Sequence, residues 1–340
     1  MRPENVTARD WLEYNALFFA EHFLGHGNYR RLFASRERKL WDQVDRYATD
    51  NPPREPFRVI EHADPDAQPL FHPYVPEVFR GIARDWPCVK KWTFDFFAER
   101  YGDKKVYLTS NRGLVGKGAA PRVENGEAMG EELTLREYIA QLKNGTPKYL
   151  KFSQMIHESS ELQEDFNADW LTQFHKSHEF KKLFFLFIGG KGTATPIHTA
   201  LPPTVFVQIQ GTKKWTFYPC NDRLFLGVRP DRRSYFFTDA NPAEPDERQF
   251  PLLKHAQGRE VLLHPGDVVW FPPCCWHQVE NTTDSIGVAY KFFDVPAALR
   301  ASKMLTLSFF CATKPSLLKS SIMARLTKRE YIFNNPQRYD

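Results

Sequence analysis

The sequence predicts a mainly β fold with flanking helices (α+β), built as a closed antiparallel barrel or a double-sheet jelly roll. Three observations predict it. Short apolar stretches separated by turn residues follow one another at near-regular spacing from Leu183 to Phe293. The stretches before Asn51 and after Pro296 have apolar residues at helical spacing instead. The chain of 340 residues, with 29 phenylalanines, is long enough to bury a sizeable aromatic core.

The helical regions are predicted from helical spacing and from end signals. Asn51-Pro52-Pro53 should end the first region, because proline breaks a helix. Thr134, with Glu137 three residues later, has the pattern of a capping box. The predicted helices cover residues 11–47, 93–101, 134–142, 297–313 and 316–331.

The strands are predicted from apolar runs, alternation and flanking turns, such as Gly211 and Pro265-Gly266. The predicted strands cover residues 106–109, 149–153, 183–188, 204–210, 214–218, 260–263, 267–271, 276–280 and 286–293. Residues 113–132 contain few apolar side chains and are predicted to form an exposed loop. We expect an N-terminal helical region at 1–74, a barrel domain at 75–295 and a C-terminal helical region at 296–340, folding as one unit.

The composition narrows the function classes. The net charge of +5 is spread among nearly equal numbers of basic and acidic residues, which does not indicate a nucleic-acid binder. No apolar run approaches the roughly 20 residues of a membrane span, and the first ten residues lack the apolar core of a signal peptide. The five cysteines form no CxxC pair or disulfide pattern. We therefore expect a cytoplasmic protein without a membrane or nucleic-acid partner.

The most informative motif is His198-Thr199-Ala200, followed later by His277. Two histidines on facing strands can hold one divalent iron ion, and a carboxylate two residues after the first histidine would complete a facial triad. Here Ala200 occupies that third position. The metal ligands predicted are therefore His198 and His277, with a vacant ligand position at Ala200.

The segments around these histidines resemble the JmjC or cupin-like-domain family of Fe(II)- and 2-oxoglutarate-dependent oxygenases, over residues 75 to 295. The segments that carry the resemblance are Thr195-Pro196-Ile197-His198, Gln208-Ile209-Gln210-Gly211-Thr212-Lys213-Lys214-Trp215, Leu262 to Pro273 around Pro265-Gly266-Asp267, Trp276-His277, and the earlier stretch Ile82 to Trp92. The resemblance implies a double-stranded β-helix barrel that uses iron and 2-oxoglutarate as co-substrate.

The resemblance also implies roles for five further residues. Lys213 matches the lysine that pairs with the distal carboxylate of 2-oxoglutarate, a strong charge-assisted contact. Thr195 and Tyr149 match the hydroxyl groups that help to hold the same carboxylate. Thr204 and Lys291 match polar positions that line the pocket. The expected reaction is hydroxylation or halogenation of an unactivated C–H bond.

Three interpretations of Ala200 remain open. A chloride or bromide ion could fill the gap, because an alanine or glycine at this position is a point of resemblance to the non-haem iron halogenases. Another side chain could complete the site and support hydroxylation; the candidates are His157, His175, His178, Glu179 and Glu280. Alternatively, the chain is a binding or interaction protein that has lost its iron.

The sequence leaves the substrate class and the oligomeric state open. A small molecule, a carrier-bound intermediate and a peptide all remain candidate substrates. The C-terminal helices either support a homodimer, as the resemblance implies, or cover the barrel.

Overall fold

The computed structural model describes residues 2–51, 54–64, 66–108, 123–124, 127–128, 131–174 and 180–313. Its helices are α1 Ala8–Leu24, α2 His26–Asp50, α3 Pro87–Lys91, α4 Phe94–Arg100, α5 Leu135–Lys143, α6 Ser160–Gln163, α7 Ala168–Thr172, α8 Val295–Ala301 and α9 Lys303–Phe310. Its strands are β1 Ile60–His62, β2 Glu77–Phe79, β3 Lys105–Leu108, β4 Val123–Glu124, β5 Glu127–Ala128, β6 Glu131–Thr134, β7 Tyr149–Ser153, β8 Phe180–Gly189, β9 Ala194–Thr199, β10 Thr204–Gln210, β11 Lys213–Tyr218, β12 Phe236–Phe237, β13 Arg259–Leu263, β14 Val268–Phe271, β15 Trp276–Asn281 and β16 Ser285–Phe293.

Two facing sheets form the jelly roll. The larger has seven strands in the order β1-β2-β14-β10-β16-β8-β7, and the smaller has five in the order β12-β9-β15-β11-β13. All pairings are antiparallel except β1 with β2. The predicted jelly-roll fold with flanking helices is confirmed, and each of the nine predicted strands is present with bounds shifted by a few residues.

Alternation along the strands divides the core into an interior and two outer layers. Inward side chains such as Phe206, Trp215 and Phe271 pack between the two sheets. The outer face of the large sheet packs against the segment that contains α3 to α7. The outer face of the small sheet packs against α1, α2, α8 and α9. The large sheet is therefore covered on both faces, which explains the almost continuously apolar sequence of its strands β8, β10 and β14. The outer face of the small sheet stays partly exposed, where Lys214 pairs with Glu260 and Glu280.

The first helical region differs from its prediction, because two helices replace one. Gly25 separates α1 from α2 with a backbone φ of 74°, which is easily reached only by glycine. A side chain added at Gly25 would also collide with the guanidinium of Arg232, at 2.6 Å. The amide of His26 at the start of α2 donates to Asp231. The break therefore lets α1 turn back along α2.

The prediction of one helix over residues 297–313 is wrong in the same way, because two helices, α8 and α9, replace it. Ser302 ends α8 and begins α9, and its hydroxyl accepts a hydrogen bond from the amide of Leu305. Serine at this position favours the N-terminus of a new helix over continuation of the old one. The predicted helix at 316–331 lies outside the described residues.

The predicted loop at 113–132 is wrong at its C-terminal end, where Glu131 and Glu132 begin β6 and pair with β3. Within the same stretch β4 and β5, of two residues each, pair antiparallel. Residues 113–122, 125–126 and 129–130 lie outside the described residues. The capping box of α5 is confirmed by reciprocal hydrogen bonds between Thr134 and Glu137. The three-region division of the chain remains a prediction.

In the part of the chain that the structure describes, no helix combines the length and the apolar character that crossing a membrane requires.

Candidate functional site

The two predicted metal ligands lie side by side on neighbouring strands. His198 on β9 and His277 on β15 are directly opposite each other in an antiparallel pair. Their ring centroids are 4.2 Å apart, and both side chains are almost fully buried. The pairing of β9 with β15 therefore brings together two imidazoles that are far apart in the sequence.

Each imidazole is oriented by a backbone carbonyl two residues earlier in the chain. Nδ1 of His198 is 2.8 Å from the carbonyl oxygen of Pro196, and Nδ1 of His277 is 3.0 Å from that of Cys275. A carbonyl only accepts, so each Nδ1 carries the proton and each Nε2 keeps its lone pair. This is the arrangement that metal-ligating histidines adopt.

Burial keeps both rings neutral. It lowers the pKa of His277 to about 3, with a smaller contribution from the positive charge of Lys291. Burial, followed by the proximity of His277, lowers the pKa of His198 well below its usual value. Neutral imidazole is the form that binds a metal ion, so the two rings are available as ligands at neutral pH.

Aromatic side chains fix the surroundings of the pair. Trp215 stacks on His277 with 5.6 Å between ring centroids, and Phe271 lies at 4.6 Å from the same ring. Tyr235 lies beside His198 at 5.4 Å. This packing restrains the imidazoles and makes the surroundings apolar.

Ala200 follows the end of β9, and its carbonyl accepts a hydrogen bond from the amide of Cys274 at 3.1 Å. Its methyl group cannot bind a metal ion. Among the described residues, no group of three histidine, cysteine or carboxylate side chains is arranged to hold a metal. The residues present could supply two ligands to a metal ion, and other molecules would fill its remaining coordination positions.

Of the alternative third ligands, the two that the structure describes do not join the pair. Glu280 lies on β15 three residues after His277, so it points to the outer face, where it pairs with Lys214 at 3.2 Å. His157 belongs to no metal-binding group within the described residues. His175, His178 and Glu179 lie outside the described residues.

The second part of the site lies at the other end of the same strands. Lys213 is fully buried, and its ammonium donates to the side-chain oxygen of Asn281 and to the hydroxyl of Tyr149, 3.3 Å away. Thr195 contributes a further hydroxyl, since a hydrogen bond joins it to Tyr149. The structure thus brings together Lys213, Tyr149 and Thr195, as the resemblance implied.

Among the described residues, the ammonium of Lys213 has only neutral hydrogen-bond partners, Asn281 and Tyr149. Burial, with a smaller effect of the nearby Lys151, lowers the pKa of Lys213 to about 7. Burial also raises the pKa of Tyr149, so its phenol stays protonated and can donate a hydrogen bond. A carboxylate bound here would gain a charge-assisted contact and two hydroxyl donors.

Thr204 and Lys291 lie at the end that holds the histidines. They face each other on β10 and β16 and line one cavity together with both histidines. Lys291 is half-buried with its ammonium 5.4 Å from the ring centre of Phe152, and burial lowers its pKa to about 8.

Three nearby residues were missed from the sequence. Lys151 donates to the carbonyl of Ala194 at 2.9 Å, and its charge acts on both Lys213 and His198. Asn281 orders the Lys213 end through its side-chain amide, which also donates to Thr193. Alternation along the strands could have indicated Lys151 and Asn281. They follow Tyr149 by two residues and His277 by four, and even spacing places side chains on the same face of a strand. Nothing in the local sequence indicates the third, Tyr235.

The cavity between the two ends has aromatic walls and no acidic side chain among its described lining residues. Its polar lining residues are Tyr149, Thr195, His198, Thr204, His277 and Lys291. Two neutral imidazoles can hold a divalent metal at one end, while Lys213 can hold a carboxylate at the other. The arrangement therefore suits a metal ion and a negatively charged organic molecule bound together.

Comparison with known proteins gives several relatives. Lysine-specific demethylase 8 from Xenopus tropicalis is 24% identical over 222 residues, which cover 64% of this chain and 48% of that protein. HSPB1-associated protein 1 from Rattus norvegicus is 27% identical over 224 residues, covering 61% and 46%. The 2-oxoglutarate and iron-dependent oxygenase JMJD4 from Mus musculus is 25% identical over 248 residues, covering 65% and 56%.

The chain thus spans about half the length of the curated relatives it matches. The model of the cupin-like domain family matches residues 68–297, which include both histidines and every strand of the two facing sheets except β1. From this match and the jelly roll that carries the paired histidines, we conclude that the chain belongs to the cupin-like domain family.

Proposed function

We propose that this protein is a non-haem Fe(II)- and 2-oxoglutarate-dependent enzyme of the oxygenase type, acting on an unactivated C–H bond. The observation that carries the proposal is the pair of neutral imidazoles, His198 and His277, whose Nε2 atoms are unprotonated. They share one cavity with Tyr149, whose hydroxyl accepts a hydrogen bond from the buried ammonium of Lys213. The name of the JMJD4 relative, a 2-oxoglutarate and iron-dependent oxygenase, supports the same chemistry.

The roles of the side chains follow from their positions. His198 and His277 would hold the iron, and Lys213, Tyr149 and Thr195 would bind the distal carboxylate of 2-oxoglutarate. Iron bound with the keto acid and dioxygen supplies the oxidising power that C–H cleavage requires. The aromatic walls around His277 exclude water from the reacting atoms.

The vacant position at Ala200 favours an anion beside the metal. A site with two neutral ligands carries one negative charge fewer than a site with a carboxylate, and Lys291 adds a positive charge on the same side. A chloride or bromide ion would offset part of that charge and would be placed for transfer to the substrate. Halogenation is therefore proposed alongside hydroxylation, with a small-molecule, carrier-bound or peptide substrate.

The alternative of a binding protein that has lost iron finds less support. Burying an ammonium with neutral partners is costly, and this chain does so at Lys213, which donates to a tyrosine in the wall of the cavity. A chain that only kept the fold would be stabilised by an apolar residue there.

The proposal is tested by anaerobic titration of the full chain with ferrous iron and 2-oxoglutarate. We expect a visible charge-transfer band and, after air is admitted, formation of succinate. His198→Ala and His277→Ala should each remove the band, because one imidazole cannot hold the iron. His264→Ala, at an exposed histidine in the turn between β13 and β14, is the matched control and should retain it.

Absence of both the band and succinate from the unaltered chain would refute an iron enzyme. Adding bromide and analysing products by mass spectrometry separates the two reactions. A product with the bromine isotope pattern indicates halogenation, and a gain of one oxygen atom indicates hydroxylation.

A further inference from the structure

Two of the five cysteines lie on the outer side of the small sheet, next to the strand that carries His277. Tyr218 at the end of β11 is opposite Trp276 at the start of β15. Cys220 follows Tyr218 by two residues, and Cys274 precedes Trp276 by two. Continuation of the same antiparallel register therefore places Cys220 opposite Cys274, just beyond the end of the paired strands.

Contacts around the two cysteines support this placement. Nε1 of Trp276 donates to the carbonyl oxygen of Cys220 at 3.1 Å, which holds the 3-10 helix that begins at Cys220 against the start of β15. Cys274 belongs to the same hydrophobic cluster as Tyr218 and Trp276, and Cys220 packs against that cluster. Opposing residues of an antiparallel pair have Cα atoms about 4.5 to 5.5 Å apart, which is within the range that a disulfide bond spans.

The adjacent Cys275 faces the other way. Its side chain packs in the cluster between the two sheets, and its thiol lies 3.7 Å from the carbonyl oxygen of Tyr218. Cys274 has a φ of 61°, a left-handed conformation that a residue other than glycine keeps only where its surroundings hold it. Cys274, and not Cys275, is therefore the thiol on the side of Cys220.

The two opposing thiols differ in exposure and in acidity. Cys220 is partly exposed, whereas Cys274 is fully buried. A hydrogen bond from the Cys274 thiol lowers the pKa of Cys220 against the opposing effect of burial, and the positive charge of Arg223 adds to the lowering. The thiolate is the reactive form of cysteine, so an oxidant from solvent meets the more reactive thiol of the pair first.

We propose that Cys220 and Cys274 form a redox site, which a hydroperoxide such as hydrogen peroxide oxidises to a reversible disulfide. The Cys220 thiolate attacks one peroxide oxygen and the O–O bond breaks, which leaves a sulfenic acid on Cys220 and, once the departing oxygen is protonated, one water. The Cys274 sulfur then attacks the Cys220 sulfur and displaces hydroxide, which takes the Cys274 proton and leaves as a second water. The two thiols lose two electrons in total, and the peroxide gains them.

The disulfide would form beside the end of the barrel that carries the histidines. The amide of Cys274 donates to the carbonyl of Ala200 at 3.1 Å, and His277 follows Cys274 by three residues. Cys220 begins the 3-10 helix after β11. A bond between the two sulfurs therefore ties the segment between Ala200 and His277 to that helix. The inference does not depend on the proposed iron chemistry.

The experiment treats the full chain, first reduced and then freed of reductant, with a small excess of hydrogen peroxide in the presence of a metal chelator. Catalase stops the reaction, and N-ethylmaleimide blocks the remaining thiols before proteolysis and peptide mass spectrometry. We expect the linked Cys220–Cys274 peptide to exceed every other cysteine pair by at least about tenfold, because a thiol held beside its partner reacts at a high effective concentration. Dithiothreitol should return both cysteines to the free thiol by thiol–disulfide exchange.

Three variants test the order of the two steps. Cys274→Ser removes the second thiol, so Cys220 should remain a sulfenic acid that dimedone traps. Cys220→Ser should leave the buried Cys274 unmodified by peroxide. Cys275→Ala is the matched control, because this adjacent cysteine faces the interior, and it should retain the Cys220–Cys274 link. Thermal melting of each variant shows whether it is folded.

The unaltered chain decides the outcome even where a variant does not fold. If Cys220 and Cys274 both stay free after peroxide treatment, the inference is wrong. A dominant link in which Cys275 or Cys311 replaces Cys274 would also overturn it. The same treatment of the chain unfolded in urea should lose the selectivity, and equal selectivity there would mean that the fold does not bring the two thiols together.

Discussion

Lys213 combines full burial with neutral partners, and this combination has a measurable effect on stability. Its pKa is about 7 in the folded protein, against about 10.4 in an unfolded chain. Between these values the unfolded chain holds a proton that the folded protein has released, so the free energy of unfolding rises with pH. The burial penalty is present in full below pH 7 and is relieved as the pH rises through this window.

We therefore expect the metal-free protein to gain stability between pH 7 and pH 9, by up to about 1.4 kcal/mol per pH unit from this lysine. Urea unfolding at several pH values in carboxylate-free buffer measures it. Lys213→Met removes the titrating group, and its curve should rise less steeply than that of the unaltered chain. Parallel curves for the two proteins would show that Lys213 does not titrate in this range.

The residues around Lys213 show what local sequence can and cannot predict. Gly211-Thr212-Lys213 is a continuous motif, so the lysine could be found without knowledge of the fold. Phe152 could not, because alternation from Tyr149 places it on the outer face. The structure has an irregular register between Leu150 and Ser153 and a φ of 56° at Phe152, which turns this ring into the cavity.

At the scale of single elements, α5 was predicted with its cap because the signal lies within four consecutive residues. Thr134 accepts a hydrogen bond from the amide of Glu137, and Glu137 accepts one from the amide of Thr134. The breaks at Gly25 and Ser302 were not predicted. Apolar spacing continues across both, and the contacts that fix them come from elsewhere, such as Arg232 beside Gly25.

The capping box of α5 gives a prediction at the same scale. Thr134→Ala removes the hydroxyl that accepts from the first turn, and we expect a loss of about 1 kcal/mol in the free energy of unfolding. Chemical denaturation monitored by circular dichroism measures the change. Thr172→Ala, at an exposed threonine at the end of α7, serves as control, and a comparable loss there would argue against a capping effect.

At the scale of the whole molecule, the terminal helices and the barrel share one core. Side chains of α1 and α2, such as Phe18 and Leu40, pack in one cluster with Ile197 and Trp276. The last two directly precede His198 and His277. The N-terminal helices therefore support the strands that carry both candidate metal ligands, from the face opposite the cavity.

A buried ion pair reinforces this connection. The two terminal nitrogens of the Arg54 guanidinium donate to the carboxylate of Asp222, at 2.6 and 3.0 Å, and both side chains are buried. Arg54 lies after α2, and Asp222 lies in the short 3-10 helix after β11. Geometry of this kind joins two distant parts of the chain with two charge-assisted bonds.

Asp222→Ala should therefore destabilise the protein by roughly 3–5 kcal/mol, because it leaves a buried guanidinium without its partner. A single cooperative melting transition at a lower temperature is expected by calorimetry. Glu132→Ala, which breaks an exposed pair with Lys105, is the control and should change the melting temperature little. Two separate transitions would instead mean that the helices and barrel unfold independently.

The carbonyls of Pro196 and Cys275 have a consequence for how such a site can diversify. Each imidazole takes its direction from a main-chain carbonyl two residues earlier in the chain, not from a neighbouring side chain. The two Nε2 atoms therefore keep their direction when side chains around them are exchanged. Residue 200 lies just beyond the end of β9 and takes no part in that alignment. If the proposed function holds, the main chain would fix the two histidine ligands while residue 200 decides which molecules fill the remaining positions, so a substitution at residue 200 would alter the reaction and leave the two ligands in place.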